Sequence, residues 1–426
     1  MGTGPSTKET TLHHYRDPLC KLLAGDSEVD FLGLILAGTS DEDEQKAFIA
    51  RRIGAQLESM RLDGVLVSID SWGNCHIDFA SVIEAIGERG IPLVGLSFVG
   101  TQAAFVVVNS YMNSIIDLNK TTDGVESLVI GENTAVELDA IKAVAILKNK
   151  IRNKESGKSW RVGETKKLRR LIVRTFAVTA VDSGAGAGNA NFSKGRLSLN
   201  LEELQKAGRS VCKDMESFVK DFSLRIINCN ERSQLDLPVN SILDFSPVAA
   251  KVNGRMGEGI SHDFSGMCVM LTAVEENGFQ PANIGASDGV LGKKVCFGRP
   301  GTPAAGDYIL NIDVILKEGH ARTREGIMAA HELCDAVIRP VRDLLRALPS
   351  SDAANKAEYW DTVRSGGYKI ALVKLVPGLG CLYDTLLFPE DPAGYAAGKS
   401  IMDRSNNVQI PISPNEYRDG AVHSLT

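Results

Sequence analysis

Three apolar runs, residues 31–37, 64–69 and 92–98, alternate with two stretches of helical spacing, and this alternation confines the first part of the chain to a parallel sheet with right-handed helical crossovers. Gly38-Thr-Ser-Asp41 supplies a turn and capping residues before a helix predicted over about 42–60. A second helix is predicted over 80–89. The loop between the second run and that helix, residues 68–79, contains Asp70, Ser71, Asn74, Cys75, His76 and Asp78. It leaves the carboxyl end of a strand, which is where open parallel sheets bind ligands.

Residues 105–108 read as a further strand and 111–118 as a short amphipathic piece, and 134–149 have helical spacing. A charged stretch with little apolar patterning, residues 148–170, reads as a linker. Beyond it the pattern turns β-rich, with strands predicted at 171–181, 196–201, 223–228, 242–252, 267–274, 294–297, 308–317 and 369–376. Both faces of 308–317 carry apolar residues, the mark of an interior strand. The longest helical pattern, 324–348, contains Pro340, which is expected to kink or divide it. The reading is an α/β protein: a parallel β-α-β sheet domain (1–155), a linker (156–168) and a β-rich α+β domain (169–426).

Lys and Arg number 47 against 53 Asp and Glu, a formal net charge of −6, so the chain has no basic surplus to neutralise a nucleic acid or an anionic membrane. No apolar run is long enough to span a bilayer, and no secretory leader is read at the start; a cytoplasmic protein is expected. The eight cysteines form no C-x-x-C pair, which fits reduced thiols. The glycine run at 184–188 lacks the Lys-Ser/Thr of a phosphate loop and reads as a hairpin connection. No histidine spacing matches a metal motif, and no metal is expected.

His76 and Asp78 are candidates for acid/base work if the segment is extended, because residues two apart then share a side. The alternative is that both cap the following helix. Cys75 reads as a structural thiol. His13 and His14, in His-His-Tyr-Arg before Pro18, belong either to a flexible leader or to a docked segment lining a site. Gly254-Arg-Met-Gly-Glu-Gly-Ile-Ser-His-Asp263 and Phe297-Gly-Arg-Pro-Gly-Thr-Pro303 are glycine-rich loops that allow a ligand close to the backbone or simply turn tightly.

Several segments resemble the D-proline reductase proprotein family, with component B of the glycine, sarcosine and betaine reductases among its relatives. In the first half these are Gly4-Pro-Ser-Thr-Lys-Glu-Thr-Thr-Leu-His-His14, Gly73-Asn-Cys-His-Ile-Asp-Phe79, Glu88-Arg-Gly-Ile-Pro92 and Asp117-Leu-Asn-Lys120. In the second they are Gly257-Glu-Gly-Ile-Ser-His262, Val269-Met-Leu-Thr-Ala-Val-Glu-Glu-Asn-Gly278, Phe297–Pro303, Ala329-Ala-His-Glu-Leu-Cys-Asp335, Tyr383-Asp-Thr385 and Ser413-Pro-Asn-Glu-Tyr-Arg-Asp-Gly420. The resemblance implies reductive amino-acid metabolism of the D-proline to 5-aminovalerate type. It also implies a selenoprotein or thiol partner subunit, a small amino acid or cyclic amine as ligand, and an oligomeric assembly.

In that family the larger part precedes the smaller, and cleavage ahead of a cysteine makes an amino-terminal pyruvoyl group. Here the order of the two parts is reversed, and Met1-Gly2 stands where the cysteine is expected, so no cofactor is expected on this chain. It resembles a fusion of the two accessory proteins of the proline reductase gene cluster: either an enzyme component, or a non-catalytic paralogue that assembles with or matures the reductase. The enzyme reading implies His13, His14, His76 and Asp78 as catalytic candidates, with Ser71, Asn74, Glu416, Arg418 and Thr426 binding substrate. The permuted order implies that Gly2 and Thr426 lie close together.

Overall fold

The computed structural model describes residues 9–40, 43–69, 75–100, 104–105, 107–122, 124, 129–155, 162–184, 188–212, 215–231, 234–236, 242–277, 294–320, 323–376 and 409–420. The fold is α/β, as predicted. The three predicted N-terminal strands form as β1 (Val29–Gly38), β2 (Gly64–Ile69) and β3 (Leu93–Ser97), all in one sheet. The fourth from this part of the chain is β4 (Ile115–Asp117), not residues 105–108, where the described positions form no strand. Phe105 instead packs its ring on His76, with centroids 4.6 Å apart.

Two more strands enter this sheet from near the other end of the chain. They are β19 (Tyr368–Val376) and β20 (Ile410–Ile412), giving the order β20-β1-β19-β2-β3-β4. β19 runs parallel between β1 and β2, whereas β20 is antiparallel on the edge. Residues 1–155 therefore do not complete the first sheet alone. An apolar parallel strand such as Tyr368–Val376 has two faces to bury, and the centre of this sheet buries both.

Helices cover the sheet on each side. On one face α3 (Asp43–Ser59) and α4 (Cys75–Gly87) bury Ile49, Ile53, Phe79 and Ile83 against Ile35, Val67, Val373 and Leu375. On the other, α2 (Pro18–Gly25) and α5 (Glu137–Lys154) bury Leu19, Leu23, Ala140 and Leu147 against Leu34, Leu36, Leu66 and Leu372. α4 starts at Cys75, five residues earlier than predicted, so Cys75, His76 and Asp78 belong to its first turn.

α5 ends at Lys154; of the expected linker 156–168, residues 156–161 lie outside the described residues and 165–168 belong to β6 (Thr165–Ala177). β6 lies in a four-stranded sheet with β13 (Ala249–Asn253), β14 (Gly259–Ser265) and β18 (Asn355–Arg364), ordered β13-β14-β6-β18. A second four-stranded sheet is β10-β17-β15-β12, from β10 (Val219–Asn228), β12 (Ile242–Ser246), β15 (Met267–Glu275) and β17 (Tyr308–Leu316). β17 is interior, as its apolar faces imply. The single strand predicted at 242–252 is two, β12 and β13 in different sheets, broken around Pro247, which has no N–H to give a ladder.

Two small sheets complete the chain: β5 (Val129–Ile130), β11 (Gln234–Asp236) and β16 (Lys294–Cys296), ordered β11-β16-β5; and β7 (Ala180–Ser183), β8 (Ala190–Ser193) and β9 (Arg196–Leu199), ordered β7-β9-β8. A hairpin joins β8 to β9 through Lys194-Gly195, both at positive φ; β7, ahead of the glycine run, pairs with β9 in parallel, and residues 185–187 of the run lie outside the described residues. α6 (Leu201–Cys212) and α7 (Arg324–Ala347) pack in the core that includes β10, β15 and β17. α7 runs through Pro340 as one helix.

Gly33, at φ +124°, marks an irregularity in β1, and a Cβ added there would lie 2.3 Å from the Ile412 carbonyl oxygen. Gly33→Ala is expected to displace β20. Its unfolding midpoint in urea should correspond to a loss of at least about 2 kcal/mol, with faster limited proteolysis around 409–412, because left-handed strain and a backbone clash add.

Candidate functional site

Lys374 interrupts the apolar strand β19, and its side chain is 1% exposed. Alternation along the strand puts Val373 and Leu375 on the α3/α4 face and Lys374 with Leu372 on the other. There its ammonium donates to Glu9 at 2.8 Å and to Asp17. A buried ammonium must be paired, and the N-terminal segment supplies the two carboxylates.

The fold of that segment follows from the same residues. Asp17 is the N-cap of α2, accepting from Leu19 N (2.7 Å) and Cys20 N (3.0 Å) ahead of Pro18. Thr10 caps α1 (Thr11–Tyr15), accepting from His13 N. At the other end of the chain, the short helix α8 (Pro414–Arg418) brings Tyr417, whose hydroxyl donates to Asp17 at 3.0 Å and lies 2.9 Å from His14 Nδ1. Nδ1 of His13 and of His14 each lie 3.5 Å from Glu9, and His13 Nε2 is 3.3 Å from the Ala135 carbonyl. His13 and His14 therefore lie in a packed segment and not in a flexible leader.

The charges are settled by this packing. Burial alone would raise the Asp17 carboxyl, but Lys374 and His13 hold it below its ordinary value. Burial would lower Lys374, and Asp17 and Glu9 outweigh it, so the ammonium is held well above its usual range. Burial and the neighbouring carboxylates raise the Tyr417 phenol. Cys20, beside the network, is pushed up to about 12 by burial. Glu9, His13 and Asp17 present ligand atoms within 4.8 Å of one another, a set able to hold a cation, and the Lys374 ammonium contacts two of the three.

His76 and Asp78 lie on the opposite face of the sheet, on α4. Two residues apart on a helix they point in nearly opposite directions, so the shared side expected of an extended segment does not arise. Asp78 accepts from Lys46 Nζ and from Ser40 N at 3.3 Å. Burial raises its carboxyl, and those two donors oppose the rise. His76 Nε2 is 2.9 Å from Ser97 Oγ, and Ser97 in turn donates to the Phe98 carbonyl at 3.2 Å, which assigns the ring proton to Nε2. Burial lowers the imidazole to about 4, so it is neutral at pH 7. Cys75 Sγ lies 3.6 Å from Thr39 Oγ1. This polar group does sit beyond the carboxyl ends of β1 and β3, where the sheet topology places ligands.

Glu416 closes the capping box of α8 and pairs with Arg169 at 2.8 Å. Arg418 lies over the Tyr359 ring, 3.9 Å from its centroid. Neither is paired with His13 or His14 in the contacts of α8. Ser71, Asn74, Gly2 and Thr426 lie outside the described residues, so the expected approach of Gly2 to Thr426 does too; segments 9–17 and 414–420 do meet, through Tyr417.

Sequence reading missed Lys374, Glu9, Asp17, Tyr417 and Lys46. The signal for Lys374 was present as a lone charge inside an apolar run. Its partners had none, being more than 350 residues away in sequence for Asp17. Asp244 was missed as well. It accepts from Thr11 N (2.9 Å) and Thr11 Oγ1 (2.6 Å), tying α1 to β12, and burial raises it to about 7.

Residues 3–190 match the sequence profile of "Glycine/sarcosine/betaine reductase component B subunits". Among curated proteins, the chain is 40% identical over 152 residues to the "D-proline reductase proprotein PrdA" of Acetoanaerobium sticklandii, covering 36% of this chain and 24% of that protein. It is 26% identical over 147 residues to the "Betaine reductase complex component B subunit alpha" of Peptoclostridium acidaminophilum, covering 32% of this chain and 33% of that one. The matched stretch thus spans a third or less of each relative's length. No solved structure matches the chain. Residues 3–190 are thus similar to the glycine/sarcosine/betaine reductase component B subunits. Among the described residues no helix is long and apolar enough to cross a membrane.

Replacing Lys374 by Met should leave Glu9 and Asp17 buried without their ammonium and cost roughly 3–5 kcal/mol at pH 8. In the wild type the depressed Asp17 carboxyl contributes stability that is present at neutral pH and lost on acidification. In K374M the sign should reverse, with urea denaturation showing recovery from pH 8 to pH 5 as the carboxylates protonate.

Asp244, raised when folded, has the opposite linkage to Asp17. Its contribution is complete below the ordinary carboxylate range and is lost as pH rises to about 7. Thermal melts at pH 5 and 8 should therefore show a smaller fall in Tm for Asp244→Asn than for the wild type.

Proposed function

We propose that this protein is a non-catalytic component of a reductive amino-acid system of the D-proline to 5-aminovalerate type, assembling with or maturing the reductase. The observation that carries the reading is the fate of the nominated chemistry. His13 and His14 are packed in the buried network of Glu9, Asp17, Lys374 and Tyr417. His76 is a neutral buried group on a serine. Among the described thiols, burial raises Cys20 and Cys268, whereas Cys75, Cys212 and Cys296 are half-buried and none of them lies in the Lys374 network.

The similarity of residues 3–190 to component B subunits supports a role beside partner subunits, here a selenocysteine- or thiol-bearing one. The domain uses its polar residues to lock the terminal segments onto the sheet. On this reading the small amino acid is bound and reduced by the assembled complex, in an oligomer in the cytoplasm, without a pyruvoyl group on this chain.

The test combines intact mass, a carbonyl-reactive hydroxylamine probe, dithiol-dependent turnover of D-proline, and size-exclusion chromatography with the selenocysteine-bearing subunit of a D-proline reductase. The expected result is an unmodified chain that labels with no probe, turns over no D-proline alone, and co-elutes with the subunit. A labelled carbonyl or turnover by the chain alone would falsify the non-catalytic role, and failure to co-elute would remove the partnership.

A further inference from the structure

The loop Phe297–Pro303 and the end of α1 enclose a cleft that the proposed function leaves unused. Its volume is about 450 Å3, within the range of small-molecule sites, and it is lined by Arg16, Arg299, Gly298, Thr302 and the start of α5 at Val136 and Glu137. Its position is rigidly built. Thr302, 1% exposed, donates through Oγ1 to the Cys296 carbonyl at 2.6 Å and accepts from Arg299 N at 3.2 Å. Thr10 Oγ1 donates to the Gly301 carbonyl at 2.6 Å, fastening the loop to α1. Gly298, at φ +85°, has open space where a Cβ would stand, so a ligand can approach the backbone there.

Arg16 and Arg299 both line this cleft; Arg16 also interacts electrostatically with the buried Asp263 carboxylate, without a hydrogen bond to it. By contrast, Arg169 is paired with Asp361 and Glu416, and Arg170 with Glu358. Against the two cations stands one carboxylate, Glu137, so the lining carries a net positive charge, to which the amino end of α5 adds about half a charge. Guanidinium forks match planar or tetrahedral oxyanions, which they bind bidentately.

We infer that this cleft is a binding site for a small oxyanion, a phosphate-bearing or dicarboxylate molecule, held between Arg16 and Arg299. Because α1 also carries His13 and His14, a ligand here bears on the element that holds the N-terminal segment to the sheet. The inference rests on the cleft alone and stands or falls apart from the proposed partnership.

Isothermal titration calorimetry on the full chain, at low chloride, with inorganic phosphate and separately with succinate, tests it. Saturable binding of at least one is expected, weakened tenfold or more in Arg299→Gln and in Arg16→Gln and unchanged in Arg209→Gln, which is remote and exposed. Binding of phosphate only assigns a phosphoryl ligand, of succinate only a carboxylate, and of both a general oxyanion site. Absence of saturable heat with either anion, or binding undiminished in the Arg16→Gln/Arg299→Gln double variant, overturns it. Far-UV circular dichroism and Tm confirm that each variant is folded, and competition between phosphate and the arginine-selective reagent phenylglyoxal at Arg299, read by mass, gives a second measurement should one variant not fold.

Discussion

A lysine ammonium buried in the middle of a parallel sheet sets the terms for the rest of this structure. Removing the charge of Lys374 from water is costly, and the cost is met only if carboxylates arrive in fixed geometry. Asp17 can do so because it is already fixed as the cap of α2, and Glu9 because α1 begins beside it. The Asp17 carboxylate is then shared with the Tyr417 hydroxyl, which brings in α8. One buried charge thus recruits both an early and a late segment of the chain onto the same face of the sheet.

The five residues of α1 carry much of the inter-sheet connection. Thr11 binds Asp244 on β12, and Tyr15 donates to Asp263 on β14 at 2.9 Å. His14 meets Tyr417, and Thr10 just ahead of the helix holds the Gly301 carbonyl. So short a helix has little stability of its own, and these tertiary bonds hold it. The polar residues that suggest chemistry are there engaged in connection. In the same region, the Arg16 backbone N–H closes α1 on the Leu12 and His13 carbonyls, and Arg16 borders the cleft proposed to bind an anion.

The His76 group and the Lys374 network also show how a sheet separates residues that look alike. Both lie in polar clusters on a sheet covered by helices, but alternation along β19 assigns Lys374 to one face, while α4 carries His76 and Asp78 on the other. A pocket lined jointly by His13, His14, His76 and Asp78 would have to cross the sheet.

The sequence by itself determined the α/β class, the three strands β1 to β3, the interior strand β17 and the long helix α7, because hydrophobic periodicity is a local property that burial on one or two faces imposes directly. It also carried wording similar to component B subunits, matched over residues 3–190. Only the tertiary structure decided that β19 inserts between β1 and β2, that 242–252 divides between two sheets, and that His76 and Asp78 diverge on a helix turn. Strand order and ion pairing join residues hundreds of positions apart, and neither leaves a periodic trace in the chain. Lys374 stood visible in the sequence as a charge in an apolar run; which carboxylates would meet it was fixed only by folding.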